Sequence, residues 1–276
     1  LWPGVALIVC SAAGLGWLGL RIRSRPLSAP GPPRDAGEVR LPGDLPEPVT
    51  RFYAALDRGG PRVPRIDTFT LWGRARMKRD PLPWMPVTFW SEHRVGWSGL
   101  QLLTVTWYRI PILRGRDHYI DDRGEMRIGR RQISGPEIDQ GENLFLWAEL
   151  VLIPSVLATR PGVRWVPIDE SSARLVVPFG AGEDELVFRF DPATGLLSDG
   201  TAVRYKDVGG PKVGWRIGYQ AWRRFDGGLY PSRITVTWAD RGRPWFVLDV
   251  DGVALNAQVS DVLTAGSPAQ STTRPG

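Results

Sequence analysis

The chain has 276 residues, 42% hydrophobic and 23% charged, ordinary values for a globular protein that exclude wholesale disorder. One cysteine, Cys10, and two histidines, His93 and His118, exclude a disulfide framework, a cysteine zinc site and a multi-histidine metal cage. The net charge of +6 is almost all arginine and unevenly spread: residues 51–131 carry a net +8 and residues 132–276 a net −3.

Leu1 to Leu20 holds no charged side chain and is followed at once by Arg21, Arg23 and Arg25. About 20 apolar residues at 1.5 Å rise span the hydrocarbon core of a bilayer. The expectation is a single transmembrane anchor over 1–20 and a single-pass cell-membrane protein, the side of its domain left open; a signal peptide is the alternative. Gly14, Gly16 and Gly19 are tolerated in such a helix and formally complete a dinucleotide-binding glycine pattern. That match is spurious, because no strand precedes it. Residues 21–46 read as a Pro-rich linker, with Pro26, Pro30, Pro32, Pro33, Pro42 and Pro46 among small residues.

A β-rich domain is expected over 47–258. Pro48 suits a first helical turn, and Val49, Phe52, Tyr53 and Leu56 form one apolar stripe. After it, residues alternate with period two. Phe69, Leu71, Gly73, Ala75 and Met77 face one way; Thr70, Trp72, Arg74, Arg76 and Lys78 face the other. The same holds for Val87, Phe89 and Ser91, for Leu186, Phe188 and Phe190, for residues 213–222 and for Ile234, Val236 and Trp238. These are strands buried on one face, joined by short Asp/Gly turns into antiparallel meanders. Glu137 to Leu157 breaks the pattern with a helix that is apolar nearly all round, which Pro154 kinks or ends. The fold class is therefore mainly β (α+β): a curved antiparallel sheet of nine or ten strands wrapped on a hydrophobic helix. Residues 259–276 read as a disordered tail.

Several stretches carry a family resemblance: Leu45-Pro46-Glu47-Pro48-Val49, Gly135-Pro136-Glu137-Ile138-Asp139-Gln140-Gly141-Glu142, Ala148-Glu149, Pro154-Ser155 and Gly162-Val163-Arg164-Trp165. Together they resemble a bacterial family known only as a domain of unknown function, over most of residues 45–258. The resemblance implies a fold similar to the periplasmic lipoprotein-sorting carriers, a half-open barrel holding a helix and an apolar cavity. It implies no catalytic residues.

The leading expectation is non-enzymatic binding of a lipid or other hydrophobic ligand. Leu144, Trp147, Leu150 and Val151 would line the cavity, with Asp139, Glu142 and Glu149 as polar groups at its mouth. The bland alternative makes Asp139 an N-cap and Glu142 its capping-box partner. Eleven of 13 tryptophans lie in the domain, and Trp72, Trp90 and Trp222, interleaved with Arg74 and Arg76, form a candidate membrane-facing surface or else ordinary strand packing. An envelope protein-interaction domain without a cavity is the second reading. An acid/base enzyme using Asp139, Glu142 or His118 is the third; the motifs of nucleophile elbows and zinc proteases are absent. No cofactor, metal or nucleic-acid partner is expected.

Overall fold

The structure is a computed structural model that describes residues 14–32, 34–225 and 228–264. In chain order, β1 (Glu38–Arg40) is followed by α1 (Glu47–Ala55) and β2 (Arg62–Pro64). A first meander comprises β3 (Thr68–Lys78), β4 (Trp84–Arg94), β5 (Ser98–Trp107), β6 (Ile110–Ile120), β7 (Arg123–Ile128) and β8 (Arg131–Ser134). Two helices follow, α2 (Pro136–Leu150) and α3 (Val156–Thr159). The second meander is β9 (Arg164–Asp169), β10 (Ser172–Phe179), β11 (Gly182–Phe190), β12 (Leu197–Tyr205), β13 (Lys212–Phe225), β14 (Gly228–Trp238) and β15 (Pro244–Leu255).

β1 and β2 pair as a two-stranded ribbon, and the other 13 strands form one antiparallel sheet. Its order is β8-β7-β6-β5-β4-β3-β15-β14-β13-β12-β11-β10-β9, so the last strand joins the two meanders in the middle. α2 carries the chain from one sheet edge to the other and touches β6–β8 on one flank and β10–β12 on the other. A sheet that meets one helix with both flanks is curved around it. It does not close, since β8 and β9 remain its edges. The expected nine or ten strands fall short because edge strands such as β7, β8 and β9 lack a clean apolar alternation.

The inner face is the core. Phe69, Leu71, Val87 and Phe89 from the first meander and Leu186, Phe188, Ile217, Ile234 and Val236 from the second are buried together with α2. Leu144, Trp147, Leu150 and Val151 are only 1%, 2%, 0% and 1% exposed. α2 stops at Leu150 rather than Leu157. Pro154 has no N–H for the Leu150 carbonyl and its ring collides with that turn. Ser155 instead uses its hydroxyl to accept the Ile66 N–H at 3.1 Å.

The first and last described segments, around Ser24 and Ser260, both lie on the outer face. Ser24 and Thr106 hydroxyls are 2.8 Å apart, and Glu92 accepts the Ser260 N–H at 2.9 Å. Residues 259–264 of the expected tail are ordered: Asp261–Leu263 forms a 3-10 turn, and Val259 and Leu263 pack on Leu100. The rest of that stretch lies outside the described residues.

The expected single-pass anchor, and the cell-membrane placement drawn from it, need correction. Among the described residues no helix is long and apolar enough to cross a membrane. Residues 1–13 lie outside the described residues. Residues 14–21 are helical and pack on the β5–β6 hairpin. Trp107 Nε1 donates to the Gly16 carbonyl at 2.9 Å and the Tyr108 hydroxyl to the Leu15 carbonyl at 2.8 Å. A Cβ on Gly19 would lie 2.3 Å from Trp107 Nε1. The glycines read as tolerated in lipid therefore include one that permits packing on protein.

Candidate functional site

Two regions concentrate the sequence-predicted residues. The first lies beneath α2. Glu149 is buried, and its Oε2 accepts the Ser91 hydroxyl at 2.6 Å and meets His93 Nε2 at 2.5 Å. Ser91 and His93 are alternate residues of β4, so both face inward. The His93 ring fits because Gly99 opposite has no side chain: a Cβ there would be 2.9 Å from His93 Nδ1. One helix turn pair earlier, Glu142 borders a cavity of about 10 Å³ with Ser91, His93, Gln101, Asp117 and His118. That is room for one water at most.

Arg204 of β12 reaches this cluster from the opposite flank. It passes under Gly141, where a Cβ would come within 2.4 Å of Arg204 Nη2, and it lies over the Trp215 ring at 5.2 Å. Burial pushes the Glu142 carboxyl up to about 8, helped by repulsion from Asp117 and Glu149 and opposed by Arg204. Burial likewise pushes Asp117 up to about 7 against the attraction of Arg204. Arg204 itself is lowered by burial, although Glu142, Asp117 and Asp184 all pull it back up. Burial lowers His118 as well. Two carboxyls thus share one guanidinium, an arrangement that favours holding one proton between them.

Asp139 does not join this cluster. Its carboxylate accepts the Gly124 N–H at 2.7 Å and Arg123 Nη1 at 3.2 Å, tying α2 to the β6–β7 turn. Nor is it the N-cap. That position is Gly135, with Pro136 next and no side-chain cap, so the helix starts earlier and Asp139 lies in its first turn. The trio Asp139, Glu142 and His118 therefore shares no open cleft. Leu144, Trp147, Leu150 and Val151 line neither the cavity beside Glu142 nor either of the two larger clefts. They are buried in the core, with a 3.0 Å bond from Trp147 Nε1 to Asn143 and a 2.6 Å bond from the Tyr219 hydroxyl to the Ala148 carbonyl.

The second region is a cleft of about 450 Å³ on the outer face. Trp17, Leu20, Arg21 and Arg23 form one wall; Arg74, Arg76 and Lys78 of β3 and Pro83, Trp84 and Pro86 around β4 form the other. Arg23 pairs with Asp249 at 2.8 Å, and Arg74 makes a two-pronged pair with Asp251 at 2.7 and 2.9 Å. Arg21 and Arg76 have no carboxylate partner among the described residues. Each lies over an indole instead, Arg21 over Trp17 at 3.8 Å and Arg76 over Trp84 at 5.6 Å.

Of the proposed outer aromatics, Trp72 is buried and stacks on Trp90 at 5.4 Å, over Gly252. Trp222 leaves the outer face altogether. Ala221 has φ of 52°, a left-handed residue that breaks the alternation locally while the pairing with β14 keeps its register from Gln220–Arg233 to Trp222–Pro231. Trp222 then packs on Phe52 at 6.1 Å. A third cleft, about 730 Å³ between residues 40–45 and α1, has Arg40 and Asp57 as its charged lining residues, and Asp57 pairs with Arg224.

A family model described as a family of unknown function (DUF6544) matches residues 37–249. The chain belongs to the DUF6544 family. No curated protein matches it. Among solved structures, a LolA superfamily protein from Nitrosomonas europaea is similar at 10% identity and TM-score 0.43, over 71% of this chain and 89% of that one. A DUF1329 family protein from Desulfovibrio piger is similar at 12% identity and TM-score 0.43, over 73% and 92%. In this DUF6544 chain the matched region contains the cluster under α2 and the β3–β4 wall of the outer cleft. Trp17, Leu20, Arg21 and Arg23 precede it. Sequence reasoning missed these four as site residues because it assigned them to an anchor and a linker. The alternation of Arg21 and Arg23 was the one signal that they share a face.

Proposed function

We propose that this chain binds an anionic amphiphile, a phospholipid being the simplest class, in the outer cleft and releases it unchanged. The observation that supports this is the stacking of Arg21 on Trp17 and of Arg76 on Trp84 in a cleft that also holds Leu20, Pro83, Pro86, Lys78 and a single carboxylate, Asp249, already paired with Arg23 and Arg233. A guanidinium fork matches a phosphate in two-pronged geometry, and stacking on an indole presets its plane. Indole, leucine and proline surfaces suit the adjoining acyl carbons. The acid/base alternative finds less support, since its carboxyls border a space for one water.

Titration calorimetry with short-chain phosphatidylglycerol and phosphatidylcholine below their micelle concentrations tests this. Saturable binding of the anionic lipid, weakened about ten-fold or more in Arg76→Ala, is expected. Equal binding by that variant and the parent overturns the reading.

A further inference from the structure

The β5–β6 hairpin ends in a surface that the cleft does not use. From Ile110 to Arg114 five consecutive residues are exposed, whichever side of the strand they occupy. This part of β6 therefore projects with its side chains in solvent, while Val105 and Thr106 of β5 beside it are buried. Its side chains are nonetheless apolar: Ile110, Ile112 and Leu113 are 59%, 56% and 42% exposed, and Trp107 is 38% exposed. Beside them, on the helical residues bonded to Trp107 and Tyr108, Leu15 and Leu18 are exposed as well. An apolar surface of this kind marks an interaction site rather than ordinary exposure.

Charge says what it meets. No aspartate or glutamate occurs between Ser98 and Arg116, or between Gly14 and Arg34. The charged residues in those stretches are Arg109, Arg114 and Arg116, and Arg21, Arg23, Arg25 and Arg34. Apolar tips, a tryptophan and a tyrosine at their base, and flanking arginines of which, among the described residues, only Arg23 pairs with an acid form the combination that lies in the headgroup region of an anionic bilayer. A protein partner would need no such one-sided charge.

We propose that the projecting β5–β6 hairpin docks on the surface of anionic lipid bilayers, with Ile110, Ile112 and Leu113 entering the headgroup boundary and Arg109 and Arg114 contacting lipid phosphates. This is a contact along one leaflet, not a crossing. Its contact residues Ile110, Ile112, Leu113, Arg109 and Arg114 do not line the cleft, so the two readings fail separately.

The experiment uses the full chain carrying Cys10→Ser and Ile112→Cys, labelled with an environment-sensitive fluorophore, and vesicles of phosphatidylcholine with or without phosphatidylglycerol. A blue shift and intensity gain with the anionic vesicles, reduced at high salt, is expected. No change of the label, while the protein still sediments with vesicles, overturns the proposal, because contact then occurs elsewhere. In parallel, Ile110→Asp with Ile112→Asp should lower vesicle-bound protein about ten-fold or more with an unchanged circular dichroism spectrum. Undiminished vesicle binding overturns the proposal, and so does a self-association of the parent chain that these variants abolish without affecting vesicle binding. If the double variant loses vesicles yet still binds monomeric phosphatidylglycerol, the cleft reading survives on its own.

Discussion

On the inner side of β3 and β4, Phe69, Leu71, Val87 and Phe89 are buried against α2, and the two polar residues that face inward, Ser91 and His93, are both held by Glu149. On the outer side of the same two strands, Arg76 has no ion pair among the described residues and lies over Trp84 at the wall of an open cleft. Period-two alternation has divided one pair of strands between two environments. Inside, polar groups are fixed by partners and contribute to holding the fold. Outside, charge is left available. Stability should therefore respond to the inner side chains and binding to the outer ones.

The largest contrast is between two tryptophans. Trp147→Ala removes a fully buried ring, and such truncations cost about 3–5 kcal/mol. Trp84→Ala removes an exposed one and should change stability by less than about 0.5 kcal/mol. Urea midpoints of the two variants measure this directly. Similar midpoints would mean that the inner face is not packed as described.

Next comes Arg204→Leu. Removing one partner of a buried charge set leaves the others uncompensated, at about 3 kcal/mol. The loss should be largest near pH 8.5 and shrink toward pH 5, where Glu142 and Asp117 take up protons. A loss that does not vary with pH would separate Arg204 from these carboxyls.

The same cluster sets the pH dependence of the parent chain. A carboxyl raised from 4.5 to about 8, as Glu142 is, holds its proton more tightly folded than unfolded. Between those values the folded state binds more protons. Its contribution to stability is fully present below pH 4.5 and is lost as the pH climbs through about 8. Asp117 acts in the same direction between 3.8 and about 7. Glu142→Gln, which keeps the shape and removes the titration, should flatten the decline measured from pH 5 to pH 8.5. An equally steep decline in that variant would assign the effect to other groups.

How much of this was legible in the sequence depends on the range of the interaction. The inward set of β3 and the all-apolar helix were readable because alternation and helical periodicity are local. The cluster was half readable: Glu142 and Glu149 stood out as carboxylates in an apolar helix, but Asp117 and Arg204 come from strands on opposite flanks, and no local pattern announces such a meeting. Trp222 was misplaced because a positive φ at Ala221 breaks the alternation locally, which no sequence pattern announces. The anchor was misread because hydropathy cannot distinguish a surface of lipid from one of Trp107 and Tyr108.

The smallest expected change in stability sharpens the contrast furthest. Arg76 is exposed and makes a ring contact but, among the described residues, no ion pair, so Arg76→Ala should shift stability in urea by no more than about 0.5 kcal/mol. Arg74 beside it is held by Asp251 in a part-buried pair, and its loss should cost up to about 1 kcal/mol. If the outer face exists for binding, the order reverses when anionic lipid is the readout. Arg76, with no carboxylate to satisfy it, should then matter more than Arg74, whose fork is already occupied. A variant pair in which Arg74→Ala weakens lipid binding more than Arg76→Ala does would show that the ion-paired arginine, rather than the ring-stacked one, receives the ligand.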